Sequence, residues 1–142
     1  MARQPRRKAV KIGVKVGGGV PPGFLWNVEI LNQAFDETMA FANEDQYAHL
    51  ACQVRDLAME EDPTHSNFLD VRSIEDFYEL REKGGILQKL NVRVFYFPDK
   101  ESRTIVILGS IKKENNGPTP TGDRLTMRRR KRLYLEAKRS RT

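Results

Sequence analysis

The sequence has few of the residue types on which metalloproteins and secreted proteins depend. It holds one cysteine, Cys52, and two histidines in 142 residues. One cysteine cannot form an internal disulfide bond, and no cysteine or histidine pair has zinc-ligand spacing. No apolar run approaches the roughly 18 residues that a membrane span needs, and the first residues lack the apolar stretch of a secretory signal. These absences predict a soluble, cytoplasmic protein without a metal ion, a cofactor or a membrane partner.

Acidic residues are missing from the start of the chain, and the charge is unevenly distributed as a result. Residues 1–22 carry a net charge of +6 and no acid, residues 23–102 carry −9, and residues 103–142 carry +9. This asymmetry indicates a surface for a polyanion, of which nucleic acid is the commonest for a basic cytosolic domain. The alternative is a basic tail that only keeps the protein soluble.

The first 22 residues offer little that could enter a hydrophobic core. They combine scattered cations with prolines and three successive glycines, a composition typical of a flexible arm. The glycines lack the Gly-Lys-Ser/Thr ending of a phosphate-binding loop. We therefore expect an arm at residues 1–22 and a single domain at residues 23–142.

The domain opens with patterns typical of a strand and a short helix. Apolar side chains alternate in residues 24–31, as they do in a strand with one buried face. Asn32 then suits the N-cap of a helix whose inner face would hold Phe35, Met39 and Ala42.

A second helix is predicted from its capping residues onwards. Asn43 and Gln46 have the spacing of a capping box, and apolar residues follow at helical spacing until Pro63 ends the run.

The next segment, residues 68–83, is ambiguous. Its periodicity allows a helix, whereas the two glycines that follow it suit a hairpin.

The second half of the domain has the pattern of two strands and a cationic helix. Residues 91–97 are dense in β-branched and aromatic residues, and residues 104–111 form a nearly continuous apolar run. A turn separates the two segments, so they should pair as an antiparallel hairpin at the centre of a sheet. After a loop with two prolines, Asp123 is placed to cap a last helix that reaches about Lys138.

Three short motifs follow one another in this half of the chain: YELR at residues 78–81, VRVFY at residues 92–96 and ILGSIKK at residues 107–113. Together with the preceding strand and two helices, their order resembles the RelE/ParE toxin superfamily, in particular its HigB-like and phage-derived branch. The resemblance covers residues 23–138. It also resolves the ambiguous segment by implying a strand at residues 77–83.

The resemblance implies an α+β fold built on a small antiparallel sheet of about four strands. Two N-terminal helices would pack on one face, a concave basic groove would lie on the other, and a basic helix would end the domain. Members of the superfamily are commonly toxins of type II toxin–antitoxin systems that cleave messenger RNA, often on the ribosome. A cognate antitoxin, here a small helix-turn-helix protein, would silence the toxin.

The implied activity is that of a metal-independent endoribonuclease. RNA is cleaved when its 2′-hydroxyl is deprotonated beside the adjacent phosphate and the developing charge is stabilised. A lysine among other cations can serve as the base, and arginine holds phosphate through paired hydrogen bonds. The resemblance points to Arg81, Arg93 and the Lys112/Lys113 pair, with Arg81 at the scissile phosphate and Arg93 at the developing charge. Only one of the two lysines can share the face of Arg93 while the chain stays extended. We favour Lys112 on that face as base and phosphate clamp, and Lys113 as an outer phosphate contact.

Further along the chain, Tyr134 would stack on a base or donate a proton. It could equally pin the last helix to the sheet. A run of five cations would form a sequence-independent collar that contacts RNA phosphates or the acids of an antitoxin. The collar consists of Arg128, Arg129, Arg130, Lys131 and Arg132.

Other interpretations of the same residues stay open. Arg81 and Arg93 could form salt bridges with nearby acids instead of holding phosphate. The chain could also be an RNA- or ribosome-binding module that never cleaves RNA, or an inhibitor of DNA gyrase like the members of a related branch.

Overall fold

The computed structural model describes residues 23–140, and the predicted basic arm lies outside the described residues. In this part of the chain five strands and three α-helices form an α+β fold. In chain order the elements are β1 (Asn27–Ile30), α1 (Asn32–Phe41), α2 (Glu44–Ala58), β2 (Asp70–Ile74), β3 (Phe77–Lys83), β4 (Asn91–Asp99), β5 (Thr104–Lys113) and α3 (Thr121–Arg139). None of the helices within residues 23–140 combines the length and apolarity needed to cross a membrane.

The five strands form one mixed sheet in the order β1-β5-β4-β3-β2. The expected α+β class is confirmed, and so is a strand at Phe77–Lys83 that pairs with β4. The expected sheet of about four antiparallel strands is wrong, because β1 runs parallel to β5 and β2 adds a fifth strand. The sequence gives little sign of β2, since this edge strand is largely exposed and has only two apolar residues, Val71 and Ile74.

The strand register divides the sheet into two faces. Leu80, Val94 and Ser110 are neighbours across three strands and share what we call the inner face. On this face the Ser110 hydroxyl lies 2.6 Å from the Thr38 hydroxyl of α1. Two residues beyond Leu80, Glu82 accepts hydrogen bonds from α2. Both of these helices therefore contact the inner face.

The C-terminal helix α3 contacts the opposite face, which the resemblance predicted to be an open groove. A Cβ atom placed on Gly109 would lie 2.5 Å from the Cε atom of Met127 in α3, so any larger residue would force the end of the Met127 side chain to move. Further along α3, the Tyr134 ring meets the ring of Phe97 edge to face at 5.9 Å. The prediction of an open groove is therefore wrong where α3 covers the sheet.

The first helix differs from its predicted form. It begins at Asn32, with Leu31 in the N-cap position and no side-chain cap, so the prediction of Asn32 as N-cap is wrong. The buried residues within α1 are Ala34 and Thr38, whereas Met39 is 40% exposed. Ala42, which follows the helix, is buried as predicted, and Phe35 packs partly buried against the core, so the prediction is wrong only for Met39.

The caps of the other helices give one confirmation and one correction. Asn43 and Gln46 form the predicted capping box, with hydrogen bonds of 2.8 and 2.9 Å between side chain and backbone. Asp123 does not cap α3, because the helix begins at Thr121 with Pro120 in the N-cap position. Asp123 lies in the first turn instead, where its charge complements the helix dipole.

Candidate nucleic-acid interface

The strands β3, β4 and β5 bring four cations to one face at one end of the sheet: Arg81, Arg93 and Lys113, with Lys83 exposed at the end of β3. Arg81 is directly opposite Arg93, and Arg93 is directly opposite Ile111. Two residues beyond Ile111, Lys113 returns to the same face because side chains alternate along a strand. Neighbouring strands lie about 4.8 Å apart, so Arg81 and Arg93 are direct neighbours, while Lys113 is opposite Asn91 and lies diagonally from Arg93. We call Arg81, Arg93 and Lys113 the cationic row.

The register corrects the predicted face of Lys112. This residue is directly opposite Val92 on the inner face, so Lys113 shares the face of Arg93 and Lys112 does not. With Lys89, the two lysines line a cavity of about 470 Å³ beside the end of the sheet. Sequence reasoning missed Lys89 because it lies in the irregular segment between β3 and β4, where periodicity says nothing about side-chain direction.

Arg93 is completely buried under the segment that joins β5 to α3. Its Nη1 atom donates to the Thr119 hydroxyl at 3.0 Å, and its Nη2 atom donates to the Gly117 carbonyl at 2.5 Å. Its Nε atom is buried without a hydrogen-bond partner among residues 23–140. Burial lowers the pKa of Arg93, and the negative charge of Glu79 opposes this effect.

A buried carboxylate lies within the cationic row. The Oε2 atom of Glu79 accepts a hydrogen bond from Arg81 Nε and lies 3.9 Å from Arg93 Nη1. Its Oε1 atom accepts a hydrogen bond from the Thr119 hydroxyl. The salt-bridge role that the sequence left open for the two arginines is thus present in the structure. Thr119 was missed because it lies in a loop, where nothing in the sequence relates it to a residue 40 positions away.

Four consecutive backbone carbonyls cover this end of the sheet. We call residues 115–118 the carbonyl loop. Asn91 Nδ2 donates to Asn115 O at 2.9 Å, and Arg81 Nη1 donates to Asn116 O at 3.5 Å. Arg93 Nη2 donates to Gly117 O at 2.5 Å, and Lys113 Nζ donates to Pro118 O at 3.2 Å. Each cation of the row therefore donates to a neutral oxygen of the loop.

Tyr134 is not brought to the cationic row. Its hydroxyl donates to Glu29 at 2.8 Å. Glu29 belongs to β1, which is the edge strand on the far side of β5 from β3. The contacts seen are those of a residue that pins α3 to the sheet.

The five collar cations point in several directions, and three of them pair with acids of the acidic segment, residues 23–102. Arg130 forms a 2.8 Å ion pair with Glu37, and it also donates to the Leu108 carbonyl at 2.9 Å. Arg128 pairs with Glu75, and Lys131 lies 3.5 Å from a carboxylate oxygen of Asp76. Arg132 lies 3.9 Å from Glu136 within the helix, and Arg129 is exposed. Part of the uneven charge of the sequence is therefore used inside the fold to hold α3 on the sheet.

No family model, no curated protein and no solved structure matches the chain. Membership of the RelE/ParE superfamily therefore stays a prediction from the three motifs. Within residues 23–140, no group of three or more His, Cys, Asp or Glu side chains is placed to hold a metal ion.

Proposed function

We propose that the chain binds RNA through the cationic row and cleaves it as a toxin of the RelE/ParE kind. The observation that supports this proposal best is the register, which sets Arg81 and Arg93 side by side and Lys113 diagonally from Arg93 on the same face. Three cations on adjacent strands offer a phosphodiester several charged donors at once, and charge-assisted hydrogen bonds are the strong ones. A phosphate held there would be fixed by rigid strands instead of mobile loops.

The roles proposed for the row follow from exposure and direction. The side chain of Arg81 is 17% exposed and can hold the non-bridging phosphate oxygens from the rim. Arg93 would stabilise the developing charge once its loop partners move away. Lys113, which shares their face, replaces Lys112 as the proposed base.

The proposed reaction conserves atoms and charge without a cofactor. The 2′-oxygen loses its proton to a base, the role proposed for Lys113, and attacks the adjacent phosphorus. The bond from phosphorus to the 5′-oxygen breaks, that oxygen takes a proton from water, and the base returns the proton of the 2′-hydroxyl to the hydroxide left behind. The products are a 2′,3′-cyclic phosphate and a 5′-hydroxyl end.

The proposed substrate is messenger RNA on the ribosome, and the proposed inhibitor is a helix-turn-helix antitoxin. The outer side of α3 suits a partner protein that presents acidic and apolar side chains. It exposes Leu125 and Leu133, which are 55% and 47% exposed, together with Arg129 and Arg132. An adjacent open reading frame should encode such a partner, and its absence would favour a protein that acts alone.

The test of cleavage uses translating ribosomes and two lysine variants that differ by one position. Purified wild-type chain should produce new message ends that carry a 5′-hydroxyl. Lys113→Ala should abolish them, whereas Lys112→Ala, on the other face, should retain most of the cleavage. No cleavage by the wild type, or equal loss in both variants, would contradict the proposed reaction.

A second candidate function is an RNA-binding module that never cleaves. It is favoured by the way in which Glu79, Gly117 and Thr119 enclose Arg93, and by the distance of Tyr134 from the row. Tight RNA binding with intact messages would identify this function. Intact messages with a loss of supercoiling would instead favour a gyrase inhibitor.

A further inference from the structure

The carbonyl loop leaves most of the charge of the cationic row without compensation. The row carries three positive charges, and Glu79 supplies one negative charge. The neighbouring Asp70 and Arg72 pair with each other at 2.8 Å and cancel. Among residues 23–140, the other two positive charges are met by neutral oxygens, namely the loop carbonyls and the Thr119 hydroxyl. Because a hydrogen bond to an anionic oxygen is about twice as strong as one to a neutral oxygen, an anion would bind these donors better than the loop does.

An unused donor points to the same conclusion. The Nε atom of Arg93 is buried without a partner among the described residues, although its two neighbouring nitrogens donate to the loop. A buried donor without an acceptor costs free energy. The loop thus satisfies the arginine only in part. A phosphate, with several oxygens around one centre, can accept from Nε and a terminal nitrogen together.

We infer that the carbonyl loop occupies the positions that phosphate oxygens take when RNA binds, and that RNA enters by displacing residues 115–118. The inference rests on the proposed function and adds to it the phosphodiester backbone as the recognised group and the loop as its internal competitor. Sequence specificity is not expected from these contacts, because phosphates carry no base identity.

The loop can be loosened without changing any charge of the row. Asn91 donates to Asn115 O at 2.9 Å and to Asn116 Oδ1 at 3.1 Å, and it tethers the loop through these two bonds. Asn91→Ala removes both bonds while Arg81, Arg93 and Lys113 stay unchanged. If the loop competes with RNA, this variant should bind RNA more tightly, by about fivefold for one net hydrogen bond.

The experiment measures the binding of a fluorescent single-stranded RNA of about 12 nucleotides by anisotropy. The 2′-hydroxyls are methylated so that cleavage cannot occur, and the full chain is used throughout. Asn67→Ala serves as the matched control, because it removes an exposed amide outside the site. Thermal unfolding of each variant verifies that it folds.

A second measurement follows the loop itself. The Gly117 amide donates to Asn115 Oδ1 at 2.8 Å, so hydrogen exchange at Gly117 reports on whether the loop keeps the turn that it forms in the closed state. Saturating RNA should speed exchange at this amide, while exchange at core amides of β4 should stay slow.

The outcomes separate this inference from the proposed function. Tighter RNA binding by Asn91→Ala, together with faster exchange at Gly117, supports both proposals. RNA binding by Asn91→Ala but not by the wild type supports a loop that closes the site fully. Wild-type binding with no change in Asn91→Ala and no change in exchange overturns the inference and leaves RNA binding intact. Weaker binding by Asn91→Ala also overturns it, and no binding by either protein overturns both proposals.

Discussion

Replacing Glu79 by glutamine should test whether this carboxylate neutralises the buried arginine. Both side chains are fully buried, with Arg93 Nη1 at 3.9 Å from Glu79 Oε2. Glu79→Gln preserves the shape and an acceptor oxygen but removes the negative charge. Removing one partner of a buried ion pair typically costs about 3–5 kcal/mol. We expect about 3 kcal/mol, because the amide oxygen can still accept one hydrogen bond.

This loss is measurable by urea unfolding. With a slope of about 1.5 kcal/mol per molar urea, about 3 kcal/mol lowers the midpoint by about 2 M. Arg93→Met in the glutamine background should restore part of the loss, since it removes the uncompensated charge. The control Glu101→Gln, whose side chain is 88% exposed, should leave the midpoint unchanged.

A small effect would refute this reasoning. If Glu79→Gln lowers the midpoint by less than about 0.5 M, the charge of Arg93 is compensated by something other than Glu79. The same conclusion holds if the effects of Glu79→Gln and Arg93→Met simply add, because a coupled pair gives non-additive changes.

Three further predictions concern the fold. Gly109→Ala should destabilise the protein by about 1–3 kcal/mol in urea unfolding, because the new methyl group would overlap the buried side chain of Met127; an unchanged midpoint would show that this side chain moves aside without cost. Asn43→Ala should cost about 1 kcal/mol through loss of the capping box, with a lower midpoint of thermal unfolding. Burial raises the pKa of Tyr96 above its ordinary value of 10.0. The folded state therefore keeps the neutral form, and the free energy of unfolding falls by about 1.4 kcal/mol per pH unit above about pH 10; Tyr96→Phe should make this fall less steep between about pH 10 and pH 11.

The sequence predicted best those elements whose signals are local. The capping box depends on residues three positions apart, and the hairpin of β4 and β5 depends on two dense β-forming segments around a turn. The strand at residues 77–83 was ambiguous from periodicity and was predicted through the motifs. Edge strand β2 was missed because it buries too little apolar surface to leave a pattern.

The details of the candidate site depend on contacts that are distant in sequence. The register of β4 and β5 shifts between Phe95 and Tyr96, where β5 contains the extra residue Leu108. A one-residue shift reverses which side chains share a face, so the faces of Lys112 and Lys113 could not be deduced by counting. The pairing of Arg130 with Glu37 spans 93 positions, and no local pattern indicates it.

The salt dependence of RNA binding tests most directly whether the cationic row binds phosphate. For single-stranded RNA the slope of log K against log salt becomes shallower by about 0.7 for each phosphate that the protein no longer neutralises. The double variant Arg81→Ala with Lys113→Ala should therefore show a slope shallower than that of the wild type by about 1.4. Lys100→Ala, which removes an exposed cation in the turn between β4 and β5, should leave the slope unchanged. An unchanged slope in the double variant, or an equal change in Lys100→Ala, would contradict the assignment of RNA binding to this row.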